Sequence, residues 1–240
     1  MIPAAGLTEH FPMAIASNLQ YNRHMNLSFR PQNIPPEERP IQVILASQSV
    51  GRKTLLDKLG IIFRTLITHV DEEAIMGKDP YKTIKARAQA KAQEVVKNPR
   101  LYNLPAEGRV LIIAADSMAV LGITAFGRTH DKEETKIQLK SLMGKTHVFA
   151  TAVTIVFFNN GTVKKTWESL TKTKVTMKKM MPAELEAYVN RYDFSRFAAG
   201  YSINEAPWDF IKKIDGSYTN VIGLPFEVLL PILRKLEIVK

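Results

Sequence analysis

The sequence predicts a mixed α/β domain over residues 41–240, and three observations carry that expectation. Short apolar runs alternate with stretches of helical periodicity from residue 41 onward. The run Val110 to Ala115 is apolar at every position, as a strand covered on both faces by helices would be. Two long β-rich runs, around Val148 to Phe158 and Thr162 to Met177, follow one another with no helical stretch between them.

Element by element, Val43 to Ser47 reads as a buried strand, and Leu55, Leu56 and Leu59 fall on one face of a helix running to Gly60. Ser49 is its expected N-cap, because a serine hydroxyl accepts from a first-turn amide. Phe63 to Thr68 is a second strand, and a long helix runs from about Pro80 to Lys97. After the apolar strand come a helix near Lys132 to Met143, the two β-rich runs, a helix after Pro182 and another after Pro225. Residues 1–40 lack a clean period and end in a proline-rich linker, so they are expected to form a flexible extension with a short helix near Met13 to Tyr21. The arginines there are too few for a transit peptide and Glu9 intrudes, so a cytoplasmic protein with a leader is expected.

Composition narrows the function classes. With 240 residues, 45% hydrophobic and 23% charged, the chain can bury one substantial core, and no run reaches the apolar length of a membrane span. The absence of cysteine excludes disulfides, thiolate metal sites and cysteine nucleophiles. A formal charge of +10 favours anionic partners such as nucleotides, phosphorylated metabolites or nucleic acid. Arg23, Arg30 and Arg39 balance Glu9, Glu37 and Glu38 in residues 1–40, so the excess lies beyond them.

Four places break local rules. In ILASQSVGRKT, Arg52 and Lys53 stand in the first turn of a helix, where the amide dipoles disfavour cations; either they turn out to water or an anion reverses the sign. The spacing Ile84, Ala88, Lys91, Val95 puts a lysine inside an apolar stripe, where it either snorkels past the core or reaches an internal anionic site. Asp116 follows the apolar strand, where ligand crevices of α/β sheets lie, although an aspartate also caps turns. Asp71, Glu72 and Glu73 form either a solvated turn or a set of hard oxygen ligands for a divalent cation. Together these features describe a phosphate-handling site: cations to neutralise a phosphate chain and two acids to hold Mg²⁺. The string is not a P-loop, since Ala46 stands where that motif requires glycine and Arg52 where it requires lysine.

With these residues in view, the chain resembles the Maf, or septum-formation-inhibitor-like, nucleotide pyrophosphatases. Ser47 to Leu56 reads SQSVGRKTLL against the family's S-x-S-P-R-R-x-x-L-L. Val70-Asp71-Glu72 matches its V-D-E, Lys91-Ala92 its helical K-A, and Ala115-Asp116-Ser117 its A-D-T. Leu142 to His147 matches L-x-G-K-T-H, and Ile214 to Pro225 the long motif I-D-G-S-Y-x-N-V-x-G-L-P. The likeness keeps the same order from about residue 41 to the C-terminus.

The resemblance implies an elongated, twisted mixed sheet with flanking helices and a central cleft. It also implies hydrolysis of a nucleoside triphosphate to the monophosphate and pyrophosphate with a divalent cation, Mg²⁺ or Mn²⁺, as a housecleaning activity, with a homodimer consistent with the family. Carried over, the catalytic and phosphate-handling set is Ser47, Arg52, Glu72, Lys91 and Asp116, with Glu72 and Asp116 holding the metal and Ser49 beside them in the substrate site. Three positions tied to substrate choice in the dTTP/UTP-acting branch depart from it: arginine becomes Gly51, lysine becomes Arg128, and glutamine becomes the shorter Asn204. The segment D-K-A-G-x-Y-G-I-Q-G becomes Arg196 to Glu205, losing its acidic and lysine positions. Two readings follow: an active pyrophosphatase on pyrimidine or modified nucleotides, or a homologue that binds nucleotide or nucleic acid without turnover. For the second, Lys164, Lys165, Lys172, Lys174, Lys178 and Lys179 would form the binding face, yet their alternation with Thr173, Val175 and Met177 suits a charge-protected edge strand better, so nucleic acid is not the expected partner.

Overall fold

The structure, a computed structural model, describes residues 35, 38–204 and 210–240. The extension expected over residues 1–40 lies outside them apart from residues 35 and 38–40, as do its helix near Met13 to Tyr21 and, further on, Glu205 and Trp208. The described chain runs β1 (Gln42–Ala46), α1 (Val50–Lys58), β2 (Phe63–Thr65), α2 (Pro80–Lys97), β3 (Arg109–Leu121), β4 (Thr124–Phe126), α3 (Lys132–Leu142), β5 (Thr146–Asn159), β6 (Thr162–Met177), α4 (Pro182–Arg191), β7 (Ile211–Asp215), α5 (Tyr218–Ile222) and α6 (Phe226–Lys235).

Among the described residues one seven-stranded mixed sheet forms, in the order β2-β1-β3-β5-β6-β7, with β4 against β3. β1 is parallel to β2 and β3, and the remaining pairs are antiparallel. Strand alternation then sorts the side chains. Ile44, Ala46, Val110, Ile112 and Ala114 pack under Ala92 and Val95 of α2. Val43, Leu45, Leu111, Ile113 and Ala115 pack on the other face with Leu55 and Leu56 of α1 and Leu229 and Leu233 of α6. At the far end, Leu139 and Leu142 of α3 and Leu185 and Tyr188 of α4 close over Phe149, Val175 and Met177.

Ser49 caps α1 by accepting from the Arg52 amide, and Asp79 caps α2 ahead of Pro80, which suits a first helical position. Three expectations are corrected. β2 stops at Thr65, short of Thr68. α3 ends at Leu142, because Gly144 follows with a positive φ of 72°. β3 does not end at Asp116 but continues to Leu121, because Asp116 to Val120 still pair with β5 and Ala119 to Leu121 pair with β4.

Candidate active site

The site lies in a gap along one edge of β3. β1 pairs with β3 only as far as Ala46 opposite Ala114, and β4 joins at Phe126 opposite Ala119. Between them, among the described residues, β3 has no strand on that side, so the crevice lies beyond the carboxyl end of β1 rather than of β3. Alternation aims neighbouring residues in opposite directions there: Asp116 meets α2, and Ser117 meets α1.

On the α2 side, Lys91 is only 3% exposed. Its Nζ donates to Glu72 Oε2 at 2.8 Å and Asp116 Oδ1 at 3.5 Å, so it reaches an internal anionic site rather than snorkelling. Glu72 arrives on the β2–α2 loop, where Asp71 Oδ1 accepts from the Glu73 and Ala74 amides and Glu94 Oε1 accepts from the His69 amide. Burial opposes its charge, but the Lys91 charge and hydrogen bond, with Arg128 and Arg52 further off, outweigh burial and hold the carboxyl below the usual glutamate value. Asp116 Oδ2 is buried without a hydrogen-bond partner.

On the α1 side, Arg52 is buried and its fork is largely spent on the protein. Nε donates to Gly223 O at 3.0 Å, Nη1 to Ser47 Oγ at 2.8 Å and Ala115 O at 2.9 Å, and Nη2 to Ser117 Oγ at 2.9 Å. Burial is the main cause lowering its pKa to about 10. Neither alternative for the first-turn cations describes it: Arg52 turns inward and ties β1, β3 and the end of α5 together, while Lys53 is exposed.

Arg52, Glu72, Asp116 and Ser117 line a cleft of about 570 Å³ that also takes in Ser49, Gly51, Arg87 and Arg128, while Ser47 and Lys91 line a separate small pocket with Glu72 and Arg128. Arg128 is exposed on the β4–α3 loop. Gly51 is pressed against α5, where an added Cβ would meet Ile222 O at 2.7 Å. Asn204 is not in the cleft lining; it is exposed and accepts from Tyr218 Oη at 3.1 Å. Beside the charged cluster the lining becomes apolar and aromatic, with Phe149, Phe197, Tyr201 and Ile203. Tyr201 Oη is 2.8 Å from Nε2 of the buried His147, and burial lowers that histidine to about 4 and raises the tyrosine. The pair is therefore neutral near pH 7 and fixes one wall.

The late motif holds the loop. Buried Asn220 donates to Phe149 O and Thr173 Oγ1, and Thr151 Oγ1 donates to Asn220 O while bonding Ser117. Sequence reasoning missed Arg87 and Ser117. Arg87 stands four residues before Lys91 on the same helical face, a signal that was available. The aromatic wall had none, since its members come from β5 and the segment after α4.

The sequence model of the Maf-like protein family matches residues 42–236. A dTTP/UTP pyrophosphatase of Treponema denticola is 35% identical over 82% of this chain and 97% of its own length. One of Agathobacter rectalis is 33% identical over 82% and 98%. The structure of a nucleoside-triphosphatase, a dITP/XTP pyrophosphatase from Mycobacterium abscessus, aligns with 63% of this chain and 94% of that one at 13% identity; its TM-score of 0.33 is too low to add to the assignment. With the family match spanning most of the chain and relatives of this identity covered almost end to end, the chain belongs to the Maf-like protein family.

Proposed function

We propose that the protein is a nucleoside triphosphate pyrophosphatase, with residues 41–240 as its catalytic domain and a pyrimidine or modified nucleoside triphosphate as its substrate. The observation that carries this reading is the pairing of buried Lys91 with Glu72 and Asp116, two carboxylates that line a cleft with an aromatic wall. A nucleotide needs both surroundings: cations and donors for phosphates, and flat apolar groups for the base. The dTTP/UTP pyrophosphatase relatives support the same reaction class.

The chemistry is addition of water oxygen to the α-phosphorus with cleavage of the bond to the bridging oxygen, releasing pyrophosphate and the nucleoside monophosphate. In this reading Glu72, kept ionised by Lys91, or Asp116 accepts the proton of that water. Arg128, exposed at the cleft, and Lys91 offset negative charge on the phosphoryl oxygens, with Ser49 near the α1 N-terminus and Ser47 steadied by Arg52. Among the described residues no three histidine or acidic side chains gather at one point. Two carboxylates, one with a buried, unbonded oxygen, still fit a hard cation such as Mg²⁺ or Mn²⁺ that takes its remaining ligands from substrate and water. Glu72 and Asp116 would hold it. When bound, such an ion supplies charge neutralisation on the phosphates and lowers the pKa of water.

The test is pyrophosphate release from a panel of ordinary and modified nucleoside triphosphates with Mg²⁺ or Mn²⁺, against Glu72→Gln and Asp116→Asn. Metal-dependent release lost in both variants supports the enzyme, and the preferred base reports what Gly51 and Arg128 do to selectivity. Folded protein that binds nucleotides and hydrolyses none of them overturns the reading in favour of binding without turnover.

A further inference from the structure

We infer that Arg87 is a phosphate-binding residue of the cleft, acting on the polyphosphate chain in addition to the residues named above. Arg87 lies on α2 one turn before Lys91, and both side chains face Asp116. Its side chain is only 17% exposed. Its Nε donates to Ile75 O at 3.3 Å, which fixes the plane of the guanidinium. Its Nη1 stands 3.9 Å from Asp116 Oδ2, too long for a hydrogen bond, and that oxygen has no hydrogen-bond partner. Among the described residues, therefore, neither Nη group of Arg87 donates a hydrogen bond within the protein, although the side chain as a whole is largely buried.

The Nη groups open to the cleft, where water accepts from them and an anion would accept more strongly. Pairing with Asp116 alone explains the position poorly. Lys91 already takes the other oxygen of that carboxylate, and the fork that could bind it with two parallel bonds stays more than 3.5 Å away. A phosphate in the cleft suits that position, because its oxygens accept from a planar fork. The contrast with Arg52 sharpens the point. Four hydrogen bonds spend Arg52 on the fold, whereas the outer edge of Arg87 is kept open beside the same aspartate.

This inference rests on the pyrophosphatase reading, and the experiment separates the two. Binding of inorganic tripolyphosphate is measured by calorimetry for the native protein, Arg87→Leu and Arg87→Lys, beside steady-state pyrophosphate release. In Arg87→Leu, tripolyphosphate affinity is expected to fall about tenfold and KM to rise by a similar factor, with kcat changing less, as for a lost charge-assisted contact. Arg87→Lys, which keeps the charge without the fork, falls between and guards against a leucine variant that misfolds. Unchanged tripolyphosphate affinity in both variants overturns the inference, including where kcat alone falls, since that marks a residue acting only through Asp116. If native protein hydrolyses no nucleotide, the pyrophosphatase reading fails while the tripolyphosphate comparison still decides Arg87.

Discussion

Lys91 carries a full charge into the protein because two carboxylates meet it there, and the consequence is readable by titration. Glu72 has its folded pKa depressed, with burial working against that shift and Lys91 for it. A depressed carboxyl contributes stability above its unfolded value, about 4.3 for glutamate, and loses it as pH falls through the folded value. Lys91→Met removes the leading counter-charge, so the Glu72 titration followed by carbon NMR should move up; an unmoved midpoint would mean the pair is not coupled. Arg52 predicts a different outcome. Arg52→Met leaves the carbonyls of Ala115 and Gly223 without their donor, which should cost about 3 kcal/mol in urea denaturation. Arg52→Lys should recover only part, because an ammonium cannot span the same acceptors. Native-like stability in Arg52→Met would show that the fork holds nothing together.

At the scale of elements, α1 and α5 approach so closely that a rule of thumb reverses. Replacing a helical glycine by alanine ordinarily stabilises, by up to about 1 kcal/mol in a helix interior. At Gly51 the new Cβ would lie 2.7 Å from Ile222 O and 3.0 Å from Ile222 Cγ2, so Gly51→Ala should instead destabilise by about 1–3 kcal/mol. A raised thermal midpoint would sink that account. The long elements were legible because periodicity and caps agree: α2 is bounded by Asp79-Pro80 as its sequence suggests, and the apolar run of β3 is covered on both faces. Two of the shorter ones were not. β4 is three residues long and α5 five, too short for a period, and they exist because β3 and the buried Asn220 recruit them. The extension of β3 through Asp116 was hidden for a related reason: polar residues interrupt the apolar run while the backbone pairing with β5 carries on.

Over the whole molecule, the part of the site visible in sequence is the part where a residue type contradicts its surroundings. Lys91 in an apolar stripe and Asp116 in an apolar strand announced themselves, whereas Ser117 and the aromatic wall are ordinary residues made useful by alternation and chain reversal. The same logic divides the +10 charge. Arg52, Arg87 and Arg128 face the cleft, but Lys164, Lys165 and Lys172 are exposed on β6, and none of these three lysines lines it. Among the described residues β7 pairs with β6 only from Lys174 to Met177, leaving the earlier part of β6 without a strand on that side, where lysines oppose strand-to-strand association. A double Lys164→Glu, Lys165→Glu variant should therefore elute from immobilised single-stranded DNA at lower salt, since counterion release scales with the cations engaged. Its pyrophosphate release should match the native protein. Release falling together with DNA retention would mean that the basic edge feeds the cleft, and the separation between surface charge and site charge would have to be abandoned.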